Sequence, residues 1–266
     1  MPKRKFTPQE IEQKANLKVP EQFKNKYLDI LFKQQAAISI NKFDLGREKN
    51  FTHKIYLKDD NPVYRKQFKI LEAHQTFIEA TIDEWLKLGG VKCTNLLYNS
   101  PLFCVPKKQG QGLRIVQDFR ELNNHSHINK YSMKESTECI GDIGRAKSAI
   151  FSTLDLTSGF WQMKLDEDSQ PLTAFTIPGK GQFAWVTSPM GLLGCPASFQ
   201  RMMEAVLRNI NNVLVYIDDL LIHTATHEEH LGESFRTTAC QPFKNQFGQV
   251  CVWQSRGLLS RFYPNT

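Results

Sequence analysis

The chain has 266 residues, 41% hydrophobic and 11% aromatic, and its formal net charge of +7 is confined to one end: residues 1–69 hold 16 Lys/Arg against 8 Asp/Glu, residues 70–266 hold 18 against 19. That apolar and aromatic content excludes wholesale disorder and fits one large domain or two small ones. The longest apolar run, Val213–Ile217, is far short of the roughly 18 residues a spanning helix needs, so no membrane association is expected.

The basic first quarter raises affinity for polyanions, but a solvated Lys-rich surface has the same composition, so charge alone names no function. MPKRK is followed by polar FTPQEIEQK rather than an apolar stretch, which excludes a secretory signal of the usual form. Residues 21–33 predict an amphipathic helix. KIYL (54–57) predicts a short strand, and Asp59-Asp60-Asn61-Pro62 a turn. Phe77, Ile78, Ile82, Trp85 and Leu86 recur at helical spacing, and Gly89-Gly90 ends that helix. PLFCVPK (101–107) and LRIVQDF (113–119) predict a hairpin through KKQGQG. AIFSTLDLT (149–157) reads as a strand covered on both faces. TAFTIP and QFAWVTS predict two more strands around Gly179–Gly181. Phe199, Met202, Met203, Val206, Leu207 and Ile210 mark one helix face, and VLVYI and LLIHT flank Asp218-Asp219 as a tight hairpin. The mixture of helices and long-range strand pairing predicts an α+β fold. The six cysteines, at 93, 104, 139, 195, 240 and 251, form no C-x-x-C pair and read as reduced core thiols.

Two carboxylate positions stand out. Asp in a turn ordinarily caps local amides, so an Asp-Asp tip is unremarkable by itself. Asp218 and Asp219, however, are presented by two apolar strands, and Asp155 interrupts another apolar strand, where a carboxylate is costly unless paired or bound to metal. If the strands were neighbours, Asp155 and Asp218 would converge with Asp219 beside them. Such a set suits a pair of Mg²⁺ ions acting on a phosphoryl transfer. His223, His227 and His230 have a spacing that invites a metal reading, but the segment is acidic and polar, and a metal site is not expected there.

LRIVQDFRELN (113–123), FSTLDLTSGFWQ (151–162), LTAFTIPGKGQFAWVTSPMGLLGCPASFQ (172–200) and VLVYIDDLLIHT (213–224) together resemble the fingers and palm of a reverse transcriptase, of the gypsy-type long-terminal-repeat retrotransposon Pol polyprotein. The resemblance runs from about residue 60 to about residue 231. It implies a right-hand polymerase fold with an antiparallel palm sheet, helices on one of its faces, and no thumb. It divides the chain into a basic leader or linker (1–60), fingers and palm (61–231) and a divergent tail (232–266).

The resemblance also implies roles. Asp155 and Asp218 match the two metal-binding carboxylates, Asp219 their companion in the Tyr-x-Asp-Asp box, and the Leu156 carbonyl a further metal ligand. Lys107 and Arg114 match the residues that grip the incoming triphosphate. Phe160 matches the bulky gate beneath the sugar, which excludes a 2′-hydroxyl. Gln162 and Met190 match positions lining nucleotide and template; Met190 stands where retroviral enzymes usually have Gln. The implied activity is RNA-directed DNA polymerisation with two Mg²⁺ ions (Mn²⁺ as a substitute). Its partners would be deoxyribonucleoside triphosphates and an RNA or DNA template with primer. The expected setting is intracellular, in the cytoplasm or a virus-like particle. The alternative is a catalytically silent remnant that keeps the fold and a nucleic-acid-binding surface.

The resemblance stops after residue 231, where a Leu-rich helix and Lys-Cys-x-Phe and Tyr-Leu-Gly-Phe stretches are expected. A shifted reading frame accounts for this: permitted codons for Gln249–Asn265 can read KCVFGKAEVSYLGFTPT in the next frame. On that reading 232–266 never evolved to fold, the palm sheet keeps an unpaired edge, and the chain is aggregation-prone and weakly active or inactive.

Overall fold

The computed structural model describes residues 6–39, 44–46, 50–107, 112–132, 134–232, 245–246 and 251–254. In chain order its elements are α1 (Pro8–Lys14), β1 (Asn16–Lys18), α2 (Glu21–Lys33), β2 (Ile38–Ser39), β3 (Thr52–His53), α3 (Glu72–Lys87), β4 (Val91–Thr94), β5 (Leu102–Pro106), β6 (Leu113–Gln117), α4 (Arg120–Asn124), α5 (Ser136–Arg145) and β7 (Ile150–Asp155). They continue with β8 (Lys164–Leu165), β9 (Phe175–Ile177), β10 (Gly181–Trp185), α6 (Cys195–Val206), β11 (Val213–Tyr216), β12 (Asp219–Thr224), β13 (Asn245–Gln246) and β14 (Cys251–Gln254). Among the described residues, no helix is long and apolar enough to cross a membrane.

The chain divides into two compact units. The first comprises Met1–Gly46, Ser132–Gly159 and Gln200–Thr266. Its sheet has the order β1-β14-β7-β12-β11. The β14–β7, β7–β12 and β11–β12 pairs are antiparallel, while β1 joins β14 in parallel, so the sheet is mixed at its outer edge. Residues 1–60, read from sequence as a leader, contribute α1, β1 and α2 here. α1 is started by a capping box, with Thr7 accepting from the Glu10 amide and Glu10 accepting from that of Thr7. α2 buries Tyr27 and Leu31, one turn apart. Tyr27 packs with Ile150 of β7 in a cluster that also gathers Leu17, Val19, Phe23, Ala149 and Leu231.

The β7 edge expected to be unpaired is filled by Cys251–Gln254, lying opposite Ile150–Thr153. The expectation that 232–266 is poorly ordered falls mostly outside the described residues, as does the tip of the β5–β6 hairpin at 108–111.

The three histidines are held by hydroxyls. His223 Nδ1 lies 2.8 Å from Ser148 Oγ, and His227 Nδ1 lies 3.2 Å from Tyr27 Oη. His230, fully buried, places Nε2 2.7 Å from Ser152 Oγ and Nδ1 2.9 Å from Thr224 Oγ1. Burial, and then His227 and His223, push the His230 pKa from 6.5 to about 3. The unfolded chain therefore takes up this proton near pH 6.5 while the native one refuses it until about 3. The stability that neutral His230 allows is complete above pH 6.5 and is lost as pH falls through that window, at up to about 1.4 kcal/mol per unit. His230→Gln should make the urea midpoint less dependent on pH between about 7 and 5. Equal slopes in parent and variant would count against this assignment.

The second unit comprises Arg47–Tyr131 and Phe160–Phe199. It holds an antiparallel sheet β4-β10-β9, the β5–β6 hairpin and a β3–β8 pair. α3 starts at Glu72, and its turn out is made by Gly89 at φ +62, with Gly90 donating to the Trp85 carbonyl. The core is aromatic: ring centroids of Trp85, Trp161 and Trp185 lie 4.7–5.1 Å apart. Asp118, buried, takes a two-point ion pair from Arg120 at 2.7 and 2.8 Å, which holds its carboxyl down at about 2.

Three local expectations shift. The strand expected at 54–57 is at Thr52–His53, because the Ile55 amide donates to Ser169 Oγ and Leu57 keeps only one bridge, to Ser126. The apolar helix ends at Val206 rather than 210; a turn from Leu207 to Ile210 follows, then Asn212 at φ +56. Cys93, expected in the core, is exposed on β4, whereas Cys195 is buried.

Candidate active site

The carboxylates lie together in the first unit. β7 and β12 pair directly, and Asp219 stands opposite Asp155 at the end of the ladder. Cross-strand partners in such a pair share a face and have Cβ atoms about 5 Å apart. β11 and β12 close with Tyr216 opposite Asp219, so the tip is the two residues Ile217 and Asp218 rather than Asp218-Asp219. The Asp218 carbonyl accepts from the Leu156 amide at 3.3 Å, tying the tip to the chain just beyond Asp155.

The tip is strained. Two-residue hairpin turns need positive φ at the first central residue, a place normally filled by Gly, Asn or Asp. Here Ile217 takes it, at φ +53. A residue in this region costs about 1–3 kcal/mol, and a β-branched one is a true outlier.

Charge accumulates at the same place. Burial, then Asp219, then Asp218 raise the Asp155 pKa from 3.8 to about 6. Burial, then Asp219, raise Asp218 to about 6. Asp218 Oδ1 is buried and has no hydrogen-bond partner. An anionic oxygen kept from water with no donor is suited to a cation. Among the described residues, no group of three His, Cys, Asp or Glu side chains is arranged to hold a metal ion by itself. Mg²⁺ does not need one: it is held by one or two carboxylates and completes its shell with water and substrate phosphates. The donor set therefore fits Mg²⁺.

The other sequence-derived positions lie in the second unit. Lys107 follows β5, where its amide donates to the Gly112 carbonyl, and Arg114 lies on β6 opposite Val105; both side chains are exposed. Phe160 lies in the 3₁₀ turn Gly159–Gln162, half-buried, with its ring edge-on to Phe199 at 5.2 Å. Gln162 is buried, 1% exposed, whereas Met190 is 54% exposed in the loop after β10.

A family described as "Reverse transcriptase (RNA-dependent DNA polymerase)" matches residues 105–240, just over half of the chain, and spans all three aspartates. The chain belongs to the reverse transcriptase family. It is 32% identical over 214 residues to the retrovirus-related Pol polyprotein from transposon 297 of Drosophila melanogaster, covering 78% of this chain and 19% of that one. To the corresponding polyprotein of transposon gypsy, from the same fly, it is 30% identical over 220 residues, covering 80% and 21%. It thus spans about a fifth of the length of these relatives. The prototype foamy virus protease–reverse transcriptase superposes with a TM-score of 0.82 at 27% identity, over 96% of this chain and 36% of that one. The foamy viral protease–reverse transcriptase in complex with an RNA/DNA hybrid gives 0.79 at 26% identity, over 95% and 35%. The reverse transcriptase fold, with its fingers and palm, matches the expectation from the motifs.

Sequence reasoning assigned no role to Gln200, whose amide group meets the backbone of the Asp218 hairpin. In the sequence it is marked only by its place at the end of the 172–200 stretch.

Proposed function

We propose that this chain transfers deoxyribonucleotides to a primer end under the direction of an RNA template, and that Asp155, Asp218 and Asp219 are its metal-binding carboxylates. The register of β7 and β12 is the observation that supports this most: it sets Asp219 against Asp155 and leaves Asp218, with its unbonded buried oxygen, on the adjoining tip. Values near 6 leave Asp155 and Asp218 largely ionised at neutral pH, as ligands for a cation must be. Two Mg²⁺ ions held there would make the primer 3′-hydroxyl more acidic and neutralise the leaving pyrophosphate. The Leu156 carbonyl would join the ligand set. Lys107, a point charge, and Arg114, a two-pronged donor, would bind the triphosphate oxygens. Met190 and Gln162 would line the nucleotide and template positions. A relative solved with an RNA/DNA hybrid supports a template–primer duplex as the partner.

The deciding experiment is primer extension by the 266-residue chain on an RNA template with Mg²⁺ or Mn²⁺. Metal-dependent products of template length support the proposal. No product from a folded chain with either metal would favour a silent remnant that retains the fold.

The same assay reads the sugar gate. Removing the Phe160 ring should admit a 2′-hydroxyl, so Phe160→Ala should raise ribonucleotide incorporation relative to deoxyribonucleotide by at least about tenfold. Unchanged discrimination would leave Phe160 as a packing partner of Phe199 only.

A further inference from the structure

The backbone that leads to Asp218 is hydrogen-bonded by a residue outside its own hairpin. Gln200, in α6, is 2% exposed. Its Nε2 donates to the Val215 carbonyl at 2.9 Å, and its Oε1 accepts from the Ile217 amide at 2.8 Å. Nε2 also donates to Glu204 Oε1 at 2.8 Å, which fixes the orientation of the amide. One side chain thus grips both ends of the backbone step that enters the tip. A primary amide donates and accepts at once across such a short span, whereas an ionised carboxylate would set a second acceptor against the Val215 carbonyl and Asn is one methylene shorter.

That step needs a grip. Ile217, at φ +53, lies in the left-handed region, which its β-branched side chain disfavours. Without a partner its amide has no reason to point where it does, and the peptide could rotate toward extended backbone. Asp218 follows directly, so rotation about Ile217 would re-aim its carboxylate relative to Asp155 and Asp219.

We propose that Gln200 is a positioning residue: by clamping Val215 and Ile217 it holds the strained tip in the one conformation that aims Asp218 at the metals. The proposal rests on the reading of Asp218 as a metal ligand, and the test separates the two. Mn²⁺ binding to the full chain, without substrate, is measured by calorimetry for the parent, Asp218→Asn, Gln200→Met, and Gln200→Met combined with Ile217→Gly, with a melting curve for each. Met matches Gln in size and makes neither hydrogen bond; Gly adopts positive φ freely, so it removes the need for a clamp.

Asp218→Asn should abolish binding. Gln200→Met should weaken it at least tenfold, and Ile217→Gly in that background should restore it to within threefold of the parent. A merely structural Gln200 would lower the melting midpoint without moving Mn²⁺ affinity, and Ile217→Gly would rescue nothing. Parental affinity in Gln200→Met, with binding lost in Asp218→Asn, overturns the positioning role and leaves the metal reading intact. Undiminished binding in Asp218→Asn overturns both. Should Gln200→Met not fold, the double variant decides: recovery of folding and Mn²⁺ binding supports the clamp, and no recovery overturns it.

Discussion

Replacing Asp155 or Asp218 by Asn is expected to cut primer extension by at least about 10³-fold, equivalent to about 4 kcal/mol of transition-state stabilisation, while raising the melting midpoint of the metal-free protein. The two effects have one origin. Each carboxyl has its pKa raised from 3.8 to about 6 by burial and by the neighbouring aspartates. A carboxyl whose native pKa lies above its unfolded one destabilises the fold when ionised; the penalty is complete above the native value and disappears as pH falls from about 6 to about 4. Asn has the same shape and no charge, so it removes the repulsion at pH 7. Both sites are partly open to solvent, which screens the effect, so the gain should be on the order of 1 kcal/mol, or a few degrees. It should fade near pH 4, where the parent is protonated too. The amide cannot act as an anionic metal ligand, and extension fails for that reason. Extension within tenfold of the parent in either variant would remove the carboxylates from the chemistry. A lower midpoint at pH 7 would remove the repulsion.

Such a stability cost is common where function needs like charges together. Backbone strain at Ile217 and the unbonded Asp218 Oδ1 are costs at the same few residues. Gly at the tip would relieve the first, and Asn beside it would remove the charge of the second. Their coincidence fits the cation site proposed for these residues.

Much of this was legible from local pattern. The apolar runs of β7, β11 and β12 mark strands, of which β7 is largely buried on both faces while β11 is a half-buried edge strand, and the acid residues that break or follow these runs are visible for that reason. The precise tip was not legible. Counting strand residues makes Asp218-Asp219 central, but the ladder pairs Tyr216 with Asp219 and moves the turn back onto Ile217, where no glycine signals it. The N-terminal segment was equally opaque. Its helix could be read from spacing, but the contact that seats it, Tyr27 with His227, joins residues 200 positions apart. No window along the chain contains both partners. The pairing of β14 with β7 was hidden for the same reason and because residues 232–266 carry little periodicity. Gln200 escaped notice because a polar residue on an amphipathic helix ordinarily faces water, and here it faces backbone.

The largest loss of stability is expected from Trp185→Ala. Trp185 is 3% exposed and lies on β10, the middle strand of its sheet. Its ring is 4.7 Å from Trp85, 5.0 Å from Trp161 and 6.2 Å from Phe175. Its indole N–H donates to Gln117 Oε1 at 2.7 Å, while Gln117 Nε2 donates to the Thr173 carbonyl at 2.9 Å. Truncating a buried aromatic to Ala costs about 3–5 kcal/mol in transfer and cavity energy. The stranded Gln117 oxygen, buried with its donor gone, adds about 1–3 kcal/mol. Against a typical total of about 5–15 kcal/mol, this unit should be largely unfolded or close to it at 37 °C. Trp185→Phe separates the contributions, because it keeps most of the ring contacts and loses only the N–H donor, and it should cost about 1–3 kcal/mol. Urea titrations of both variants, followed by tryptophan fluorescence, measure the two steps. A loss below about 1 kcal/mol in Trp185→Ala would mean that the aromatic cluster is not what holds this unit together. Met190 lies five residues beyond Trp185, on the loop that β10 leads into. In Trp185→Phe, which should stay folded, any loosening of that strand should appear as a raised nucleotide KM with little change in Mg²⁺ dependence, because the carboxylates are set by β7 and β12 in the other unit.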